Sequence, residues 1–149
     1  MNALRKVIQD YNFTRNDDDD FISAFAGLCE SREKLNQYLA MDYPLQQEDY
    51  IGWEMGIDFS INFYDEDFCI LDFIPEPSTD ISTVCKESSP EIIEALKKMY
   101  PSGLSKQCNS WILLVGINYA EYNHKVNEIF NEEFGDFIFL GSFPRSYLF

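Results

Sequence analysis

Residues 56–74 read GIDFSINFYDEDFCILDFI, and the fold turns on how this stretch is read. Ile57, Phe59, Ile61 and Phe63 alternate with Asp58, Ser60 and Asn62, the period-two pattern of a half-buried strand. Residues 68–74 (FCILDFI) are apolar at nearly every position, as in a covered strand. Between them lie Tyr64, Asp65, Glu66 and Asp67, and an acidic turn joining two strands is the simplest geometry. Three adjacent carboxylates against so much apolar surface admit four readings: a tight turn, a metal site, a catalytic pair, or a surface made to meet something basic. Pro75 and Pro77 should then stop the pairing, because proline has no N–H to give a ladder.

Working outward, FISAFAG at 21–27 reads as a strand with Phe21, Ser23, Phe25 and Gly27 on one face. Ser31 can cap a helix running to about Leu39, with Leu35, Tyr38 and Leu39 as its apolar stripe. Residues 42–56 contain Pro44 and two glycines and allow only a short helical turn near 46–54. Ser88 or Ser89 followed by Pro90 starts a helix whose buried side carries Ile92, Ile93, Leu96 and Met99 or Tyr100. Glu91 and Glu94 early and Lys97 and Lys98 late suit its dipole; Pro101 and Gly103 end it. WILLVGINY at 111–119 is the strongest strand and is expected at the centre of the sheet. HKVNEIFNEEFG at 124–135 reads as a helical turn or a loop insertion, and FIFLGSF at 137–143 as the last strand. The four aspartates Asp17–Asp20 repel one another and read as a loop, following a short amphipathic helix over 1–13. The expected class is α+β, a mostly antiparallel sheet packed with two or more helices. Residues 1–20 form an extension, helical or disordered, and 21–149 the domain.

Charge narrows the functions. The chain of 149 residues carries a formal charge of −15, unevenly placed. Between Lys34 and Lys86 there is no Lys or Arg, against eleven acids: Asp42, Glu48, Asp49, Glu54, Asp58, Asp65, Glu66, Asp67, Asp72, Glu76 and Asp80. A surface of one sign repels nucleic acid and anionic membrane and attracts basic partners. No apolar run approaches the roughly 20 residues of a membrane span, and MNALRKVIQDYNF lacks a signal peptide's apolar core. A cytoplasmic protein is expected, with no nucleic-acid or membrane partner.

Catalytic signatures are weak. His124 is the only histidine and sits in the polar stretch EYNHKVN. There is no GxSxG, Walker loop or dinucleotide fingerprint. Cys29, Cys69, Cys85 and Cys108 form no CxxC and read as reduced buried thiols. The carboxylates leave an alternative open. Asp58, Asp65, Asp67 and Asp72 include candidates for a hydrolytic pair about 5–10 Å apart. Asp65 and Asp67, pointing one way along a strand, have room for a divalent ion between them. Neither arrangement is completed by recognisable neighbours, so no catalytic residue, metal or cofactor is assigned.

Binding accounts for more of the pattern. The acidic window also holds Tyr43, Tyr50, Trp53, Phe59, Phe63, Tyr64, Phe68 and Phe73, and exposed aromatics make good interface anchors. Core packing is the better reading for the phenylalanines; Trp53 and Tyr64 are open to either. The candidate partner-binding residues are therefore Trp53, Asp58, Tyr64, Asp65, Glu66, Asp67 and Asp72.

GIDFSINFYDEDFCILDF resembles the central segment of bacterial polymorphic-toxin immunity proteins, specifically the immunity protein twenty-two family. Three further pieces fall in that family's order: FISAFAGLCESREKLNQYL as opening strand and helix, NSWILLVGINYAEY as a later strand, and FIFLGSF as the closing strand. Together they cover roughly residues 21–143. The resemblance implies a small cytoplasmic α+β protein that binds and silences a cognate toxin domain without catalysis. It matches Asp65, Glu66 and Asp67 to the family's acidic motif, in an interface or in a structural turn. Toxins of this kind are often nucleases, which need basic surface to grip phosphate, so a basic nuclease-like partner is expected.

Overall fold

The computed structural model describes residues 17–44, 51–61, 69–122 and 126–148. The elements run β1 (Asp17–Leu28), α1 (Arg32–Leu39), α2 (Glu54–Phe59), β2 (Cys69–Ser78), α3 (Ile81–Val84), α4 (Pro90–Met99), β3 (Cys108–Ile117), α5 (Tyr119–Tyr122), β4 (Glu128–Asn131) and β5 (Gly135–Pro144). A 3₁₀ turn, Arg145–Tyr147, follows. The strands form one antiparallel sheet in the order β2-β3-β1-β5-β4. This is the expected α+β domain.

Both faces of the sheet are covered. On one, Leu35, Tyr38 and Leu39 of α1 and Met55 and Phe59 of α2 pack with Phe25, Ile112, Leu114, Phe137 and Phe139. On the other, Ile81 and Val84 of α3 and Ile92 and Leu96 of α4 pack with Ile22, Ala24, Ala26, Trp111, Leu113 and Leu140. Double coverage explains why FCILDFI and WILLVG are apolar without alternation, a pattern more usual in parallel sheets. It also places the small residues Ala24 and Ala26 opposite Phe25 across the strand that both cores share.

The capping signals hold. Ser31 Oγ accepts from Lys34 N at 3.1 Å, and Ser89 Oγ accepts from Ile92 N at 3.3 Å with Pro90 at the first helical position. Such caps stabilise a helix start by about 1 kcal/mol each.

Four expectations are corrected. Residues 57–61 do not form a strand: Glu54–Phe59 is a helix. Met55 and Phe59, one turn apart, are both fully buried, and Ser60 in the left-handed region (φ 61°) ends the helix as Ile61 N donates to Gly56 O at 2.9 Å. Over five residues the spacing of apolar side chains fits either period, and packing decides. Asp17–Asp20 belongs to β1 instead of a loop; Asp17 pairs with Ile117, and the register is irregular between Asp17 and Ile22. Backbone pairing extends the strand there, while Asp20 is exposed and stays hydrated. Residues 128–131 form β4, not a helix or insertion. Its hairpin is set by Asn131, whose Oδ1 accepts from Glu133 N at 2.9 Å and Phe134 N at 3.2 Å, and by Gly135 at φ 125°. The centre of the sheet is β1, with β3 beside it.

Pro75 and Pro77 interrupt pairing without ending it: the ladder breaks after Phe73 and resumes at Ser78 opposite Cys108. They are tolerated because β2 is an edge strand. The expected helix over 1–13, most of the turn near 46–54, the YDED turn and His124 lie outside the described residues.

Candidate functional site

Of the seven residues expected to bind a partner, Tyr64, Asp65, Glu66 and Asp67 lie outside the described residues. The other three have separate surroundings.

Trp53 is a core residue. It is fully buried beside α2, so it offers no surface to a partner. The reason is Gly56: a Cβ there would run into the Trp53 indole and the Ile61 carbonyl, so the glycine opens the space that the ring fills.

Asp58, on α2, is half-buried and serves as an acceptor between elements. Its Oδ2 takes the Tyr38 hydroxyl of α1 at 2.8 Å and the Asn131 amide of β4 at 2.9 Å. The same Asn131 closes the β4–β5 hairpin through its other end, so one carboxylate ties two helices' ends to a turn.

Asp72, on β2, stands opposite Trp111 of β3. Its side chain is 14% exposed, and Oδ1 lies 3.8 Å from the Arg32 guanidinium. Its Oδ2 and the Trp111 indole Nε1 are both buried, with no hydrogen-bond partner among the described residues.

Asp58 and Asp72 have different partners: Asp58 bonds to Asn131 of β4, whereas Asp72 belongs to β2 and lies beside Arg32, and β2 and β4 are the two edges of the described sheet.

Among the described residues the acids of the window split in two. Asp42, Glu76 and Asp80 are exposed. Asp80 also caps α3, accepting from Thr83 N at 3.0 Å and Thr83 Oγ1 at 2.7 Å. Glu54 is buried, and Asp58 and Asp72 are half-buried. Of the described acids only some are solvated charge.

Three of the four thiols, Cys29, Cys85 and Cys108, are unsuited to chemistry near neutral pH. Cys29, Cys69, Cys85 and Cys108 are unbridged, and all but Cys69 are buried. Burial, reinforced by the neighbouring Cys108 thiol, pushes Cys85 up to about 12. Burial pushes Cys108 up to about 11 and raises Cys29 as well. A thiol must ionise to act as nucleophile or metal ligand, and these resist it. Among the described residues no group of three His, Cys, Asp or Glu side chains is placed to hold a metal ion. An open depression of about 230 Å³ beside Tyr100, Leu104, Asn127 and Glu128 is smaller than typical small-molecule sites of about 300–1,000 Å³.

Sequence reasoning missed the second acidic group, at the β4–β5 hairpin. Glu128 and Asp136 flank the Lys106 ammonium, the latter at 3.5 Å, and Glu133 lies 3.7 Å from Lys34. The available signal was the spacing from Asn131 to Gly135, a hairpin turn in NEEFG. Among the described residues no helix is long and apolar enough to cross a membrane. No protein family, curated protein or solved structure matches the chain.

Proposed function

We propose that this chain is a cytoplasmic immunity protein that binds and neutralises a cognate bacterial toxin domain. The toxin is a basic, nuclease-like domain, held through acidic surface. The carrying observation is the absence of any Lys or Arg between Lys34 and Lys86 against eleven acids, with Asp42, Glu76 and Asp80 exposed. Surface charge of one sign speeds encounter with an oppositely charged partner and penalises wrong ones. The resemblance of residues 21–143 to polymorphic-toxin immunity proteins supports the same reading.

Neutralisation needs no catalytic group. An acidic inhibitor laid over the phosphate-binding surface of a nuclease displaces nucleic acid by occupying the cations that would hold it. The test is co-expression with the toxin domain encoded beside this chain, followed by co-purification. Cell survival with a stable complex, and an association rate that falls as salt rises, is the expected result. Death of the cells without a complex would sink the assignment for that pair.

A further inference from the structure

The two edges of the sheet differ. At one, β2 carries Pro75 and Pro77, which give no N–H and blunt the strand against further pairing. At the other, β4 carries no proline and no lysine (Glu128, Ile129, Phe130, Asn131). Proteins ordinarily protect an edge with such residues, because an open row of N–H and C=O groups is a template for another strand.

The hairpin register fixes which groups of β4 are open. Phe139 N donates to Asn127 O at 2.7 Å, and bonded pairs recur at every second residue of an antiparallel ladder. The following pairs are Ile129 with Phe137 and Asn131 with Gly135. The peptide groups of Glu128 and Phe130 therefore point away from β5, and β4 pairs with no other described strand. Ile129 packs inward, whereas Phe130 is 70% exposed. Leu28 and Phe130 both stand opposite Asp136, so they share a face of the sheet. Leu28 too is exposed, at 40%.

We propose that the β4 edge receives an added strand from an extended basic segment of a protein partner. Phe130 is the apolar anchor, and the outward groups of Glu128 and Phe130 supply the main-chain bonds. Charge chooses the occupant. Around this hairpin Glu128, Glu132, Glu133 and Asp136 outnumber the cations Lys34 and Lys106. A second copy would bring another chain of charge −15 to the same edge. A basic strand meets complementary charge instead. The proposal deepens the neutralisation reading and rests on it only for the partner's being a basic toxin.

The experiment uses the full chain, ¹⁵N-labelled, with a synthetic peptide of about ten alternating arginine and valine residues as probe. Amide exchange is read residue by residue, with an alternating glutamate–valine peptide as control. The amides of Glu128 and Phe130 should slow roughly tenfold or more with the basic peptide and not with the acidic one. Phe130→Lys should abolish the slowing while leaving the thermal midpoint unchanged, since the side chain is exposed. Phe130→Pro removes an outward N–H and should act likewise. Three results would overturn the proposal: no slowing at either amide, slowing without peptide that grows with protein concentration (a second copy on the edge), or full slowing in Phe130→Lys. The two readings separate in cells. If Phe130→Lys rescues as well as wild type and both amides exchange freely in the toxin complex, strand addition falls and neutralisation stands. If the peptide protects both amides but no toxin is neutralised, the reverse holds.

Discussion

The Tyr38 hydroxyl donates to Asp58 Oδ2 at 2.8 Å, and the same carboxylate oxygen accepts from Asn131, 73 residues further along the chain than Asp58. Tyr38 is itself fully buried and stacks on Phe137, ring centroids 4.3 Å apart. We predict that Asp58→Ala lowers stability by about 1–3 kcal/mol, because a buried hydroxyl and an amide lose a charged acceptor together. Tyr38→Phe should cost less, about 1 kcal/mol, and the double variant should show coupling. Urea denaturation checks this. Additive effects would mean that the bond contributes nothing.

Gly56→Ala should destabilise the domain by more than the small helix-propensity change that would otherwise favour alanine. The added methyl would overlap both the Trp53 ring and the Ile61 backbone carbonyl, so at least one of them has to shift. We predict a loss of about 1–3 kcal/mol, the usual range for overpacking. Fluorescence of the chain's tryptophans during unfolding reports both the midpoint and any displacement of the indole. Wild-type stability in the variant would contradict the packing described.

Alkaline pH should weaken the fold in a defined window. Cys85 is held near 12 and Cys108 near 11 against an ordinary 9.0. Burial likewise pushes Tyr119 from 10.0 up to about 12. These groups keep their protons in the folded chain and lose them earlier in the unfolded one. Their stabilising contribution is complete below about pH 9 and is lost as pH rises through about 12. Each differential proton steepens the loss by about 1.4 kcal/mol per pH unit. Denaturation series from about pH 8 to about pH 11 should slope downward, and Cys85→Ala should flatten the slope even if it lowers the plateau. A flat wild-type series would refute this.

Asp65 and Asp67 separate binding from structure. On the neutralisation reading, Asp65→Ala and Asp67→Ala leave the melting temperature unchanged and weaken toxin binding. A structural role for either reverses the pattern, with about 1–3 kcal/mol lost from stability. Calcium or magnesium should not raise the midpoint. A rise of several degrees would revive the carboxylate metal site, since a ligand bound only to the native state stabilises it by mass action.

Much of the fold was legible because its signals are local. Ser31 and Ser89 with Pro90 announce helix starts, and the apolar runs 69–74 and 111–117 announce covered strands. What failed were segments whose state depends on distant partners. Residues 54–59 became helical because Met55 and Phe59 both pack into the core around Phe25. The aspartates of β1 became a strand because β3 lies alongside. β4 escaped notice because only Ile129 of its four residues packs inward, and one contact makes no alternation. The site was less legible. Composition locates the negative charge, but the fold decides that Trp53 is core, that Asp58 is a fastener on α2, and that Asp72 sits on the edge strand β2.

The position of β1 carries a consequence for timing. Of the described strands the earliest in the chain lies at the middle of the sheet, and both its neighbours come from the second half of the chain. Ser23 reaches Ile117 O at 2.7 Å and Ser142 Oγ at 2.9 Å, across 94 and 119 residues. During synthesis β1 therefore has no sheet to join until β3 appears, and no second neighbour until β5 leaves the ribosome. Such non-local pairing makes folding slow compared with helical proteins of similar size. On the proposed neutralisation reading, the chain would be inactive until β5 is made, and a cell relying on it would need the inhibitor made ahead of the toxin, or in standing excess.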